Sequence, residues 1–165
     1  MEKGISLIEL IITLAILSII SALSIPPMKR FIAQQSVIAD VRLIINTINT
    51  ARNKSITLRE PLKICGYTTT DTCSSNWRKL KVTAINQKTV LHTLTLQSDY
   101  KHVHWSAFQH KPGLTINTKG FTHHQNGTLY LCHNLYPSLH RAVVVSKSGK
   151  TSVKQDSSKL QSRCG

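Results

Sequence analysis

The chain has 165 residues, with 21 Lys and Arg against 7 Asp and Glu and a formal charge of +14 at pH 7. This length allows one globular domain beside a membrane segment. With so few acids, none of them in a recognisable pair, and no Gly-x-Ser-x-Gly or similar nucleophile motif, no enzymatic activity, cofactor or catalytic residue is expected.

From Ile5 to Ile25 the only charged side chain is Glu9. As a helix these residues rise about 32 Å, enough to cross a bilayer's hydrocarbon core. The preceding Met1-Glu2-Lys3-Gly4 is too short for the charged region, apolar region and cleavage site of an ordinary signal peptide. Lys3 is the only basic residue before the span, so the rest of the chain is expected across the membrane from it. A lone carboxylate in hydrocarbon costs about 2.5–3.5 kcal/mol on insertion scales, so Glu9 calls for a partner. The alternative is a plain signal anchor that tolerates Glu9 near the membrane surface.

Pro26-Pro27 is expected to end or kink the span. Helical periodicity resumes in Val37, Val41, Ile44, Ile48, Ala51 and Ser55, an apolar stripe at spacings of three and four. Arg30, Arg42, Arg52 and Lys54 lie off it and are expected to face water. The helix should stop before Pro61. Beyond it the period becomes that of strands: Leu62–Cys65, then a segment opened by Trp77 in which Leu80, Val82 and Ala84 alternate with polar residues, a hairpin at Asn86-Gln87-Lys88, and alternation again in His92, Leu94 and Leu96. Val103, Trp105 and Ala107 form a further strand with His102 and His104 on its other face, and short strands are expected at 114–117, 128–132, 141–146 and 151–154. Pro112-Gly113, Asn126-Gly127 and Ser148-Gly149 mark the turns between them. A long N-terminal helix packed on an antiparallel sheet is an α+β layout.

Four cysteines, Cys65, Cys73, Cys132 and Cys164, are an even count in an exported domain and suggest disulfides. Three pairings are open. The favoured one joins Cys65 to Cys73, closing a short polar loop, and Cys132 to Cys164, tying the tail to a strand. A zinc site is the rival, but no pair has the two-residue spacing of a zinc knuckle. His102 with His104, and His123-His124, have no carboxylate or cysteine spaced with them, so no metal is expected; near pH 6 they would add positive charge instead.

The stretch Lys3-Gly4-Ile5-Ser6-Leu7-Ile8-Glu9 resembles the start of the type IV pilins. The resemblance implies a leader (1–4) cut by a prepilin peptidase after Gly4, N-methylation of the new terminus Ile5, a transmembrane helix and filament core (5–27), and an exported globular domain (28–165). Glu9 then becomes the fifth mature residue, which this family uses in filament assembly, with a neighbouring subunit's freed α-amino group as its partner. Ile5 stands where the family usually has Phe. The expected course is a single-pass inner-membrane protein with a periplasmic C-terminal domain, delivered by the inner-membrane assembly platform into a pilus or pseudopilus with other pilins. Ala51-Arg52, Ile64-Cys65, Cys73, Trp77, the run from Asn126 to Cys132 and the run from Arg141 to Ser146 further resemble the GspH/FimT subgroup of minor pilins and pseudopilins.

From Met28 onward there are 20 Lys and Arg against 5 acids, an excess that implies a polyanionic partner. FimT-type members often end in a Gly-Arg-x-Arg associated with DNA binding; here the matching stretch is Gly149-Lys150-Thr151-Ser152, so Lys150 keeps one charge and Ser152 does not replace the second arginine. Arg141, Lys147, Lys150, Lys154, Lys159 and Arg163 are the candidate contacts to double-stranded DNA, on a tail rich in Ser, Lys and Gln that reads as flexible. Arg78, Lys79 and Lys81 form a second basic group, most simply an exposed strand face. Two functions remain open: DNA capture for uptake in natural transformation, or a structural pseudopilin of type II secretion or a pilus-priming subunit with no DNA role.

Overall fold

A computed structural model describes residues 6–68, 72–122, 124–155 and 158–165, with the backbone alone at 23, 24 and 26. The chain forms two compact units, Met1–Gln35 and Ser36–Gly165. One helix, α1 (Leu7–Thr57), contributes to both.

In the first unit the described side chains from Ser6 to Ile32 are exposed, and the helix is long and apolar enough there to cross a membrane. Three of its hydroxyls are satisfied within the helix: Thr13 donates to the Leu10 carbonyl at 2.8 Å, Ser18 to Ala15 at 2.7 Å and Ser21 to Leu17 at 2.8 Å. Such internal pairing is what a lipid-facing surface requires. Of the end or kink expected at Pro26-Pro27, the end does not occur: α1 runs through both prolines. Proline's fixed φ is itself a helical value and only two donors are missing, so the hydrogen bonds on either side carry the backbone across.

In the second unit the stripe of α1 is buried from Val37 at 0% exposed to Ala51 at 1% and Ser55 at 0%. Two antiparallel sheets supply the rest of the core. The first contains β1 (Leu62–Tyr67), β2 (Cys73–Ser74), β3 (Lys79–Ala84), β4 (Val90–Thr95) and, further along, β6 (Gly113–Ile116). Its order is β2-β1-β3-β4, with β6 also paired to β1. Leu62 lies opposite Ala84 and Ile116, and Ile64 opposite Val82 and Leu114, so one face is continuously apolar.

The second sheet has the order β5-β7-β8-β9, from β5 (Tyr100–Ala107), β7 (Gly127–His133), β8 (Arg141–Val145) and β9 (Thr151–Lys154). Its inner face carries Val103, Trp105, Leu129, Leu131, Val143 and Val145. The sheets are joined at a seam where Trp77 N–H donates to the Val103 carbonyl at 3.0 Å and Trp105 N–H to that of Ser75 at 2.8 Å. There the indoles of Trp77 and Trp105 stack with centroids 4.6 Å apart. Gly127 is fixed by this packing, since a Cβ would come within 2.7 Å of the Trp105 ring. A short helix, α2 (Ser158–Cys164), ends the described chain.

Three acids hold loops in place. Asp40, 1% exposed, accepts from the N–H groups of Gln97 at 3.1 Å and Ser98 at 2.9 Å. Glu60, 4% exposed, accepts from Asn86 N–H at 2.8 Å and Gln87 N–H at 3.0 Å. Asp99 accepts from the Asn134 side-chain amide at 3.1 Å. Tyr100 is buried beside Ser98 and Asp40, and its burial pushes the phenol above the usual tyrosine range. Asp40→Ala strips the acceptor from two N–H groups, one of them buried, and is expected to lower stability by about 2–4 kcal/mol. Asp40→Asn, which keeps one acceptor oxygen, should lose less; urea unfolding of both variants checks the order.

Candidate functional site

The turn between β8 and β9 sets the start of the basic tail. Ser146 N–H donates to the Lys150 carbonyl and Gly149 N–H to the Ser146 carbonyl, both at 2.9 Å, and Lys150 N–H donates to Ser146 Oγ at 3.1 Å. Gly149 takes φ +78, a value that side chains avoid. This turn is docked on the loop before β7: Thr122 N–H donates to the Lys147 carbonyl at 3.1 Å. Arg52 lies underneath, its Nε donating to the Gly120 carbonyl at 3.1 Å. It therefore braces this corner from α1 and does not face water freely, as helical periodicity alone had suggested.

Strand register sorts the candidate cations. Ser152 lies opposite Val144 and Lys154 opposite Ala142; Ala142 lies opposite Tyr130, and Tyr130 opposite His104. Directly opposed residues share a face, so Lys154 looks outward together with His102 and His104, and Lys150 falls in step with it just before β9. Both lysines are exposed.

Helix α2 lies on the same outer face. Leu160 and Cys164, four apart, pack with Tyr130, Cys132 and Ala142. A four-residue step repeats one face of a helix, so the other pair at that spacing, Lys159 and Arg163, is turned to solvent, and both are exposed. A disulfide joins Cys132 to Cys164 and fastens the helix down; a second joins Cys65 to Cys73. The tail is thus an anchored helix over 158–164 and not the flexible strand-tethered loop its composition suggested.

Arg141 does not belong to this group. It lies opposite Leu131, on the inner face, is 8% exposed, and donates to the carbonyls of Ser138 at 3.0 Å and His140 at 2.7 Å. Lys147 is exposed at the turn, and so is Lys119 on the loop before Gly120, which the sequence did not single out. In the second basic group Lys81 is buried at 8% with its ammonium 5.9 Å from the centre of the Tyr67 ring. Arg78 donates to the Tyr100 carbonyl at 3.0 Å. Arg78, just before β3, and Lys79 are both exposed, so the reading of this stretch as an exposed face is corrected at Lys81 alone.

The His102 imidazole and the sulfurs of Cys132 and Cys164 lie within 4.8 Å of one another. Because the two sulfurs are bonded to each other, the group offers one imidazole and no thiolate, so it does not form a metal centre in this state. His123, Gly4 and Ile5 lie outside the described residues; Glu9 is exposed on the first turns of α1.

A membrane-capable helix continuing into a domain of two antiparallel sheets defines a type IV pilin-like subunit. Residues 40–149 match the family described as type II transport protein GspH, and residues 1–25 match the prokaryotic N-terminal methylation motif. The chain belongs to the GspH family. Its fold is similar to that of the type IV minor pilin FimU of Pseudomonas aeruginosa strain PAO1 in two crystal forms. One has a TM-score of 0.55 at 15% identity, covering 78% of this chain and 92% of that one. The other has a TM-score of 0.50 at 14% identity, covering 70% and 90%. No curated protein sequence gives a significant match. The chain is thus a GspH-family protein with a pilin-like fold, and its family and methylation motif imply prepilin processing and assembly with other pilins.

Proposed function

We propose that this minor pilin binds double-stranded DNA on the outer face of its second sheet, within or at the tip of a pilus, for uptake in natural transformation. The observation that carries the reading is the gathering of Lys150, Lys154, Lys159 and Arg163 on one solvent-facing surface, from a β-edge and a helix fastened to it. Among the described residues the exported unit's acids are Asp40, Glu60 and Asp99, and each is engaged in holding a loop. The two acids outside the described residues, Asp71 and Asp156, stand against 20 Lys and Arg from Met28 onward. Lysines meet phosphate as point charges without reading bases, so binding should be indifferent to sequence and steeply salt-dependent. The leader cut after Gly4, the methylated Ile5 and the periplasmic placing of the domain complete the proposal.

Fluorescence anisotropy of the full chain in detergent micelles, titrated with a labelled duplex across a salt series, tests it. Replacing Lys150, Lys154, Lys159 and Arg163 by Gln should flatten the slope of log K against log salt by about 3–4, at roughly 0.9 for each phosphate no longer neutralised. The family's description favours a second reading, a pseudopilin of type II secretion with no DNA role. That reading gains if the unaltered chain fails to bind duplex at low salt while its deletion impairs protein secretion.

A further inference from the structure

Beside the lysines lies a cleft of about 270 Å³ lined by Asn76, His102, Val103, His104, Tyr130 and Arg163. Four segments meet there. Asn76 comes from the connection between β2 and β3 and forms an isolated bridge with His104 of β5. Tyr130 comes from β7, opposite His104. Arg163 comes from the last turn of α2, its carbonyl 3.1 Å from His102 Nε2. The side-chain oxygen of Asn76 is used, accepting from Arg78 N–H at 3.1 Å, which turns its amide nitrogen outward as a donor.

Among the described residues, no hydrogen-bond acceptor engages the Arg163 guanidinium, the His104 ring or the Asn76 amide nitrogen, and no carboxylate lines the cleft. Burial first, and then the nearby Arg163 and His102, hold His104 below the usual histidine pKa. The cleft is thus a set of converging donors whose charges repel one another, an arrangement that a bound anion relieves. A tetrahedral oxyanion suits donors arriving from several directions.

We infer that the cleft of Asn76, His104, Tyr130 and Arg163 is a binding site for one phosphate group, and that it fills more readily as the pH falls. The proton balance gives the sign. In the free cleft His104 resists protonation; a phosphate beside it favours the imidazolium, so binding takes up a proton and tightens as pH drops through the histidine range. The other groups facing His104 are Arg163 from α2, His102 from its own strand, Tyr130 from β7 and Asn76 from the β2–β3 connection, and none of them is a carboxylate. Asn76 also lines the neighbouring cleft that holds Arg78 and Lys79, so the site joins the basic sheet face to the cation at Lys79. The inference rests on the DNA reading only for the source of the phosphate.

Histidine ring resonances of the full chain in detergent micelles provide the test. Inorganic phosphate, titrated at a single pH near 6, should move the signals of His102 and His104 and leave that of His92 on β4 in place. His104→Gln and Arg163→Gln should each weaken phosphate at least about fivefold, with Arg163→Lys keeping part of the affinity. A duplex, whose diesters hold their charge throughout, is then titrated at about pH 5.5 and 7.5, and its affinity should rise at the lower pH in the unaltered chain more than in His104→Gln. If phosphate leaves the His104 signal unmoved, or both Gln variants bind it as the unaltered chain does, the site is overturned. Phosphate shifting His104 while the duplex does not bind upholds the site and overturns the DNA reading. A duplex that binds with no shift at His104 and no loss of affinity in His104→Gln overturns the site and keeps the DNA reading.

Discussion

Replacing Cys132 and Cys164 by Ser is expected to cost this domain both stability and the duplex binding proposed for it. The two cysteines are 32 residues apart in sequence, and closing a loop of that size restricts the unfolded chain by about 3–4 kcal/mol in the chain-entropy account. The folded state loses more than a cross-link. Helix α2 has seven residues, too few to persist in water without tertiary support, and its support is the contact of Leu160 and Cys164 with Tyr130, Cys132 and Ala142. Once freed, the segment no longer presents Lys159 and Arg163 on the sheet. Urea unfolding should show the loss of stability, and duplex anisotropy in the same samples should show weaker binding. The Cys65–Cys73 bridge spans only 8 residues and is expected to contribute about 2.5 kcal/mol. Its removal should leave duplex affinity nearly unchanged, since no candidate phosphate contact lies in its loop. Equal losses of affinity in the two double variants would mean that global destabilisation, not the placing of α2, governs binding.

Much of the fold could be read from periodicity. The stripe from Val37 to Ser55 announced the buried face of α1, and the alternation around Leu80, Val82 and Ala84 announced a half-buried strand. Both patterns arise because one face of each element meets the core. The cationic site was less legible for a related reason. Strand parity decides which face a residue occupies, but parity is meaningful only relative to a partner strand. Arg141 looked like one more cation at the head of a basic tail; its pairing with Leu131 turns it inward, a register that no local pattern reveals. Arg52 lay off the apolar stripe, yet its long side chain reaches the Gly120 carbonyl, a contact 68 residues away in sequence. For α2 a signal was present: Leu160 with Cys164 and Lys159 with Arg163 are two interleaved pairs at four-residue spacing. The Ser- and Lys-rich composition around them hid it, because so short a helix exists only through its packing and its disulfide. Asn76 and the cleft it shares with His104 had no sequence signal, since it forms only where the two sheets meet.

Glu9→Ala is expected to move membrane insertion and filament incorporation in opposite directions. Among the described residues Glu9 has no hydrogen-bond or ion-pair partner within this chain and stands exposed on α1. Removing it should make insertion easier by up to about 2.5–3.5 kcal/mol, so the variant should accumulate in the membrane fraction at least as well as the unaltered chain. If Glu9 exists to meet the freed α-amino group of Ile5 on a neighbouring subunit, the same variant should be nearly absent from filaments sheared off the cell surface. Glu9→Gln keeps a hydrogen-bond acceptor but loses the charge; it should insert well and assemble poorly, because an uncompensated ammonium in the low-dielectric layer is costly. A Gly4 substitution that blocks leader removal leaves Glu9 in place and withholds its partner, and should give the same defect from the other side. Immunoblots of membrane and sheared-filament fractions separate the cases. Normal incorporation of Glu9→Ala would reduce the glutamate to a tolerated surface charge on a simple anchor. Loss of incorporation in both variants, with membrane levels maintained, would place the interaction between subunits, since neither change touches the core of the unit Ser36–Gly165.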